Sequence, residues 1–178
     1  MLIVILNIFL FLILLLLIFT YTMFWPPDSP WAPWWRTNEK IANAICKLAK
    51  VNKKDVVYDL GCGDGVLISV AAKNFGAKAV GIEIDLSRYL FAKIRAKING
   101  VSKRIKIKRN NFFKESLEEA TVIVVYLVPK ALKRLKIKFL KELKPGVRVV
   151  SYRYEIDLPL VAYDKKNEIR VYKIPRSI

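Results

Sequence analysis

The chain has 178 residues, 54% of them hydrophobic, a formal charge of +17, two cysteines and no histidine. That length accommodates one domain with a real core rather than two catalytic units. With no histidine, and with Cys46 and Cys62 outside any CxxC pair, Ser-His-Asp and Cys-His mechanisms, zinc sites of the usual spacing and a disulfide scaffold are excluded, which leaves carboxylates, Lys, Tyr, amides or a cofactor to carry chemistry.

Residues 1–25 contain no charged side chain, so the whole positive charge lies behind them. From Leu2 to Trp25 the run spans about 36 Å as a helix, enough to cross a hydrocarbon core of roughly 30 Å with some tilt. Asn7 is its one strongly polar side chain, and Tyr21, Trp25, Trp31, Trp34 and Trp35 gather at its exit as interfacial aromatics do. A cleaved signal would show a basic start, a shorter apolar stretch and small residues before the cut; none is present, so residues 1–25 read as a retained transmembrane anchor. Arg36, Lys40, Lys47, Lys50, Lys53 and Lys54 follow, and a basic flank puts the domain on the cytoplasmic side of a single-pass protein. Residues 26–36 form a Pro/Trp-rich connector in which Pro26, Pro27, Pro30 and Pro33 stop the helix and keep the domain close to the bilayer. The basic domain favours anionic partners: an anionic lipid surface, an acidic protein or nucleic acid.

Residues 37–178 alternate strand and helix. Ile41, Ala44, Ile45, Leu48 and Ala49 recur at helical spacing behind Thr37 or Asn38 as N-cap. Asp55–Leu60 is a short, almost wholly apolar strand, followed by a glycine loop and a helix from Val66 to Phe75 that Gly76 ends. Then come a strand at Ala79–Glu83, a helix at Ser87–Asn99 ended by Gly100, strands at Ile105–Arg109 and Thr121–Tyr126, a helix at Lys130–Leu143 and a strand at Val147–Tyr154. Leu158–Tyr163 and Ile169–Ile174 flank Asp164-Lys-Lys-Asn167, a hairpin turn. The fold class is α/β: a Rossmann-like sheet, mostly parallel, covered by helices on both faces and ending in an antiparallel hairpin. Between Tyr154 and Leu158 there is no room for a crossover helix, which leaves open how the preceding strand joins the hairpin.

The glycine loop carries the chemistry. Gly61, Gly63 and Gly65 between a buried strand and a helix let the backbone turn sharply and approach a nucleotide-type ligand. A dinucleotide fingerprint needs its third glycine at position 66, where this chain has Val. Asp59 precedes the loop, and Cys62 and Asp64 lie within it; two carboxylates there are awkward for phosphate and suit a sulfonium or ammonium ligand, which points to S-adenosylmethionine. Glu83, 22 residues beyond Gly61, ends the next strand where a carboxylate can accept both ribose hydroxyls. Asn111 is placed to reach the adenine edge, with Phe112 to pack on the ring. No metal is implied.

The stretches VVYDLGCGDG, AKAVGIEID, ATVIVVYLVPK and LKPGVRVVS resemble the class I methyltransferases. More narrowly, YLVP at Tyr126–Pro129 and RVVS at Arg148–Ser151 resemble the mitochondrial protein-lysine methyltransferases of the ATP synthase c subunit and the adenine nucleotide translocase, with their small prokaryotic relatives. The resemblance covers about Pro33 to Pro175, and that family also places a hydrophobic segment before its core. It implies cofactor binding by Asp59, Gly61, Gly63 and Glu83. Family members usually carry an aspartate where this chain has Asn111, which keeps an acceptor but removes a charge, and often a histidine where it has Tyr152.

Methyl transfer from a sulfonium mainly needs the nucleophile held in line, and a lysine must arrive neutral, which a narrow apolar entrance promotes. Tyr126, beside Leu127 and Pro129, is the expected positioning residue in catalysis. The resemblance favours a lysine of a membrane protein as acceptor; a membrane small molecule or lipid, or a non-catalytic cofactor-binding module, are the alternatives. Nucleic acid is the least favoured partner, since the N-P-P-[YF] motif of base methylation is absent at Val125–Pro129.

Overall fold

The computed structural model describes residues 2–24 and 35–176. Helix α1 (Leu2–Phe24) exposes its side chains from Leu2 to Tyr21, and that stretch has a mean hydropathy of 3.4. Its length and composition are those of a membrane-crossing helix, a test that a signal sequence also passes. Trp25, Trp31, Trp34 and the four prolines of the expected connector lie outside the described residues.

The domain runs α2 (Glu39–Leu48), β1 (Val56–Leu60), α3 (Val66–Phe75), β2 (Lys78–Glu83), α4 (Leu86–Ile98), β3 (Ile105–Arg109), β4 (Val122–Val125), α5 (Pro129–Glu142), β5 (Arg148–Tyr152), β6 (Leu160–Asp164) and β7 (Ile169–Lys173), with a short 3-10 turn at Ser102–Arg104. Asn38, of the two cap candidates, closes the start of α2: its Oδ1 accepts from the Ile41 N–H at 2.9 Å. Helix α3 has the expected bounds, with a left-handed glycine at each end, Gly65 and Gly76.

One seven-stranded sheet has the order β3-β2-β1-β4-β5-β7-β6. β1 pairs in parallel with both β2 and β4, so the strand order reverses between β1 and β4, and ligands of open α/β sheets bind at that point outside the carboxyl ends of the strands. The chain end is antiparallel, as the turn at 164–167 implies, but β7 inserts between β5 and β6. The strand expected through Tyr154 stops at Tyr152 because Arg153 turns left-handed, φ 69°, which starts the passage across to β6.

Two cores flank the sheet. One joins α2 and α3 to the sheet through Ile45, Cys46, Leu67, Ile68, Val57 and Val124; the other seats α5 through Leu132, Leu135 and Phe139 against Ile123, Val149 and Leu60. Strands buried on both faces explain why β4 reads as an unbroken apolar run and β1 as one broken only by Asp59.

Candidate active site

Gly61, Gly63 and Gly65, which follow β1, all have positive φ, between 54° and 87°. The loop is fastened to β2: the N–H groups of Gly61 and Cys62 donate to the Ile82 carbonyl at 2.8 and 3.1 Å. Close approach needs Gly81 beneath it, because a Cβ there would lie 2.7 Å from Cys62 Sγ and 2.8 Å from Ile68 Cδ1. Gly65 serves packing: its Cβ would meet that of Ala92 in α4 at 2.9 Å, so the third glycine brings α3 and α4 together.

A cleft opens above this loop at the carboxyl edge of the sheet. Its lining includes Asp59, Gly61, Cys62, Gly63, Asp64, Glu83, Phe112 and Tyr126, eight of the ten residues expected at the site. Gly65 is the helix cap just described. Asn111 is not in the lining; its Oδ1 accepts from the Phe113 N–H at 3.0 Å, closing a local turn. Cys62 contributes backbone rather than a reactive thiol, since burial pushes that thiol well above its ordinary range.

The three acidic groups differ. Asp64 is matched, with its Oδ2 2.9 Å from Arg36 Nε and 2.8 Å from Arg95 Nη2. Glu83 is held by backbone: Oε2 accepts from Gly63 at 2.8 Å, and Oε1 from Ile84 and Asp85 at 3.0 Å each. Burial raises its pKa and these bonds oppose the rise. Asp59, at 9% exposure, has no hydrogen bond or ion pair among the described residues. Burial, then the charges of Glu83 and Asp64, push its carboxyl up to about 8. The site therefore holds one buried carboxyl group without a counter-charge among the described residues, facing the cleft.

Across the cleft stands an aromatic wall. Tyr126, one residue past β4, lies 4.6 Å from the Tyr152 ring and 5.7 Å from Trp35, centroid to centroid. The Arg153 guanidinium rests over Tyr126 and Tyr152 at 5.7 and 5.5 Å. Burial raises the Tyr126 pKa, so its hydroxyl stays protonated at neutral pH. Sequence reasoning missed Trp35, Arg36, Ile84 and Arg88, which also line the cleft. Ile84 and Arg88 had a signal: they follow Glu83 by one and five residues.

A glycine turn at the switch point of a Rossmann-like sheet, anchored to a buried glutamate and fronted by a carboxylate awaiting a cation, defines an S-adenosylmethionine-dependent methyltransferase. Residues 59–159 match the model of the ANTKMT methyltransferase domain. A protein-lysine N-methyltransferase of Saccharolobus islandicus is 45% identical over 135 residues, which cover 75% of this chain and 82% of that protein. The Xenopus laevis lysine N-methyltransferase of the ATP synthase c subunit is 28% identical over 70% of this chain, which spans about half (53%) of its length. A crystal structure described as an RNA methyltransferase from Salinibacter ruber in complex with S-adenosyl-L-homocysteine superposes with a TM-score of 0.76 at 33% identity, covering 81% of this chain and 96% of that one. The chain belongs to the ANTKMT methyltransferase family, and its cofactor is S-adenosylmethionine.

Proposed function

We propose that the protein is a membrane-anchored protein-lysine N-methyltransferase whose acceptor is a lysine of a membrane protein close to the bilayer. The observation that carries this reading is the pairing, in one cleft, of an unmatched carboxylate at Asp59 with a wall of three aromatic rings, Trp35, Tyr126 and Tyr152. Asp59 suits the cationic end of the cofactor. Glu83, with a lone pair beyond its three backbone bonds, suits a ribose hydroxyl, and Phe112 and Ile84 suit the adenine ring. The bound cofactor supplies a methyl group already activated on a sulfonium.

The wall receives the acceptor. Its faces already hold a cation, the Arg153 guanidinium, so a lysine can lay its methylene stem along them and bring its ammonium head into the cleft. Desolvation there lowers the ammonium pKa, and the proton leaves to water at the open mouth. Tyr126 keeps its own proton and acts by position, holding the amine in line for attack. The 45% identity to a protein-lysine enzyme supports the same acceptor.

The membrane part of the reading rests on α1 and on chain length. Ten residues separate Phe24, where α1 ends, from Trp35, and they reach roughly 36 Å at full extension. An anchored cleft therefore stays near the headgroups, and the basic residues from Arg36 onward favour the cytoplasmic side. A second acceptor, RNA, is favoured by the charge of +17 and by the likeness to the Salinibacter protein described as an RNA methyltransferase. Incubating the full chain with methyl-labelled cofactor and membranes from its source cells separates the readings. Label in methyl-lysine of an integral membrane protein supports the proposal; label in RNA, or in extractable lipid, overturns it.

A further inference from the structure

Helix α4 has two faces, and only one is used by the fold. Arg88, Ala92 and Ala96 are buried against the domain, at 4% exposure or less. On the opposite face Leu86, Leu90, Ile94 and Ile98 follow one another at four-residue spacing with Phe91 alongside, and all five are 47–79% exposed. Spacing of four keeps these side chains on one stripe of the helix surface. Lys93 and Lys97 border the stripe, and Lys103 and Arg104 follow the helix end; all four are exposed. An apolar stripe edged by cations is the pattern of a helix lying in a bilayer interface.

We propose that α4 rests on an anionic lipid surface, with Leu86, Leu90, Phe91, Ile94 and Ile98 sunk among the headgroups and the flanking cations on lipid phosphates. This deepens the reading of α1 as a retained anchor and rests on it. Two observations choose the bilayer over other occupants. The connector tethers the domain within roughly 36 Å of the membrane that α1 would span, so the lipid surface is always at high effective concentration. A second copy would bring the same cations together on a protein already carrying +17, whereas anionic lipid neutralises them.

The orientation matters for the reaction. α4 is capped by Asp85, two residues beyond Glu83, so it starts at the carboxyl edge of the sheet where the cleft opens and runs about 20 Å from it. With α4 on the headgroups, the cleft mouth is held beside the membrane surface and takes lysines presented at that level.

The test uses the full chain reconstituted into phosphatidylcholine nanodiscs with and without phosphatidylglycerol, carrying a nitroxide at Ile94→Cys or, on the other side of the sheet, at Lys133→Cys. Both native thiols are buried. Cofactor affinity equal to the parent's shows that each variant is folded. The expected result is a label at 94 that dissolved oxygen reaches severalfold more readily than a water-soluble nickel chelate does, more so with phosphatidylglycerol, while 133 shows the reverse. Equal chelate access at both positions, with the protein still bound to the disc, overturns the docking of α4 but leaves the anchor standing. Loss of the protein from the disc overturns both. A label shielded in detergent together with a doubled mass overturns the proposal in favour of a second copy.

Discussion

Two buried aspartates four residues apart, one just before β1 and one near its carboxyl end, live in opposite worlds. Asp55, just before the strand, is saturated: Oδ1 accepts from Thr121 at 2.7 Å and from Arg148, and Oδ2 accepts from the backbone and side chain of Asn52 at 2.9 and 3.0 Å. Asp59, near the other end, is comparably buried and accepts no hydrogen bond among the described residues. A buried carboxylate with every lone pair filled ties the fold together; one left without a partner is a cost that the fold alone does not explain and that a cationic ligand removes. The amino edge of the sheet is thus built for stability and the carboxyl edge for the cofactor.

Removing the matched group should do the most damage. Asp55→Ala strands Arg148 and Thr121 and should cost about 3 kcal/mol, near the low end for breaking a buried pair since the Arg148 side chain is 20% exposed. A urea titration reads this loss, and the cofactor affinity of the folded protein should stay put. Asp59→Asn should do the opposite on both counts: a higher urea midpoint, because a neutral amide replaces a strained acid, and cofactor binding weaker by roughly 10–100-fold, the worth of a lost charge-assisted bond. If both aspartates proved equally stabilising, the contrast would collapse.

Intermediate effects fall on the loop that presents Asp59. Gly81→Ala drives a methyl into Cys62 Sγ and should cost about 1–3 kcal/mol as overpacking, with weaker cofactor binding as the glycine turn shifts. The smallest effect belongs to Arg36→Ala. Its pair with Asp64 is 60% exposed on the arginine side and Arg95 remains, so stability should change by less than about 1 kcal/mol in thermal unfolding.

The sequence made this contrast half legible. Local punctuation located the loop and both ends of α3, because Gly65 and Gly76 are left-handed caps. Asp59 and Glu83 stood out by spacing. What stayed hidden depends on distant residues. Asp64 looked like a cation site, yet Arg36 and Arg95, 28 and 31 residues away, neutralise it. Asn111 reads as an adenine contact by position, and the structure adds a local role the spacing did not show, its oxygen accepting from the backbone two residues on. The insertion of β7 between β5 and β6 is long-range pairing that no periodicity encodes. Tyr152 was visible only as a departure from family habit; its role in the aromatic wall appears once β4 and β5 lie side by side.

The pH behaviour of Asp59 gives the most direct test. An unfolded aspartate titrates near 3.9, about 4 units below the folded carboxyl at about 8. The folded state holds the extra proton between those values, so this group's contribution to stability is full below about 4 and is lost as pH rises through about 8. A cationic cofactor favours the ionised form, so binding near pH 7 must expel that proton. Calorimetry of S-adenosylmethionine binding at pH 7, in two buffers of different ionisation enthalpy, counts it. The account predicts release of most of one proton by the parent and almost none by Asp59→Asn, together with the loss of affinity; equal proton release and equal affinity in both proteins would contradict it.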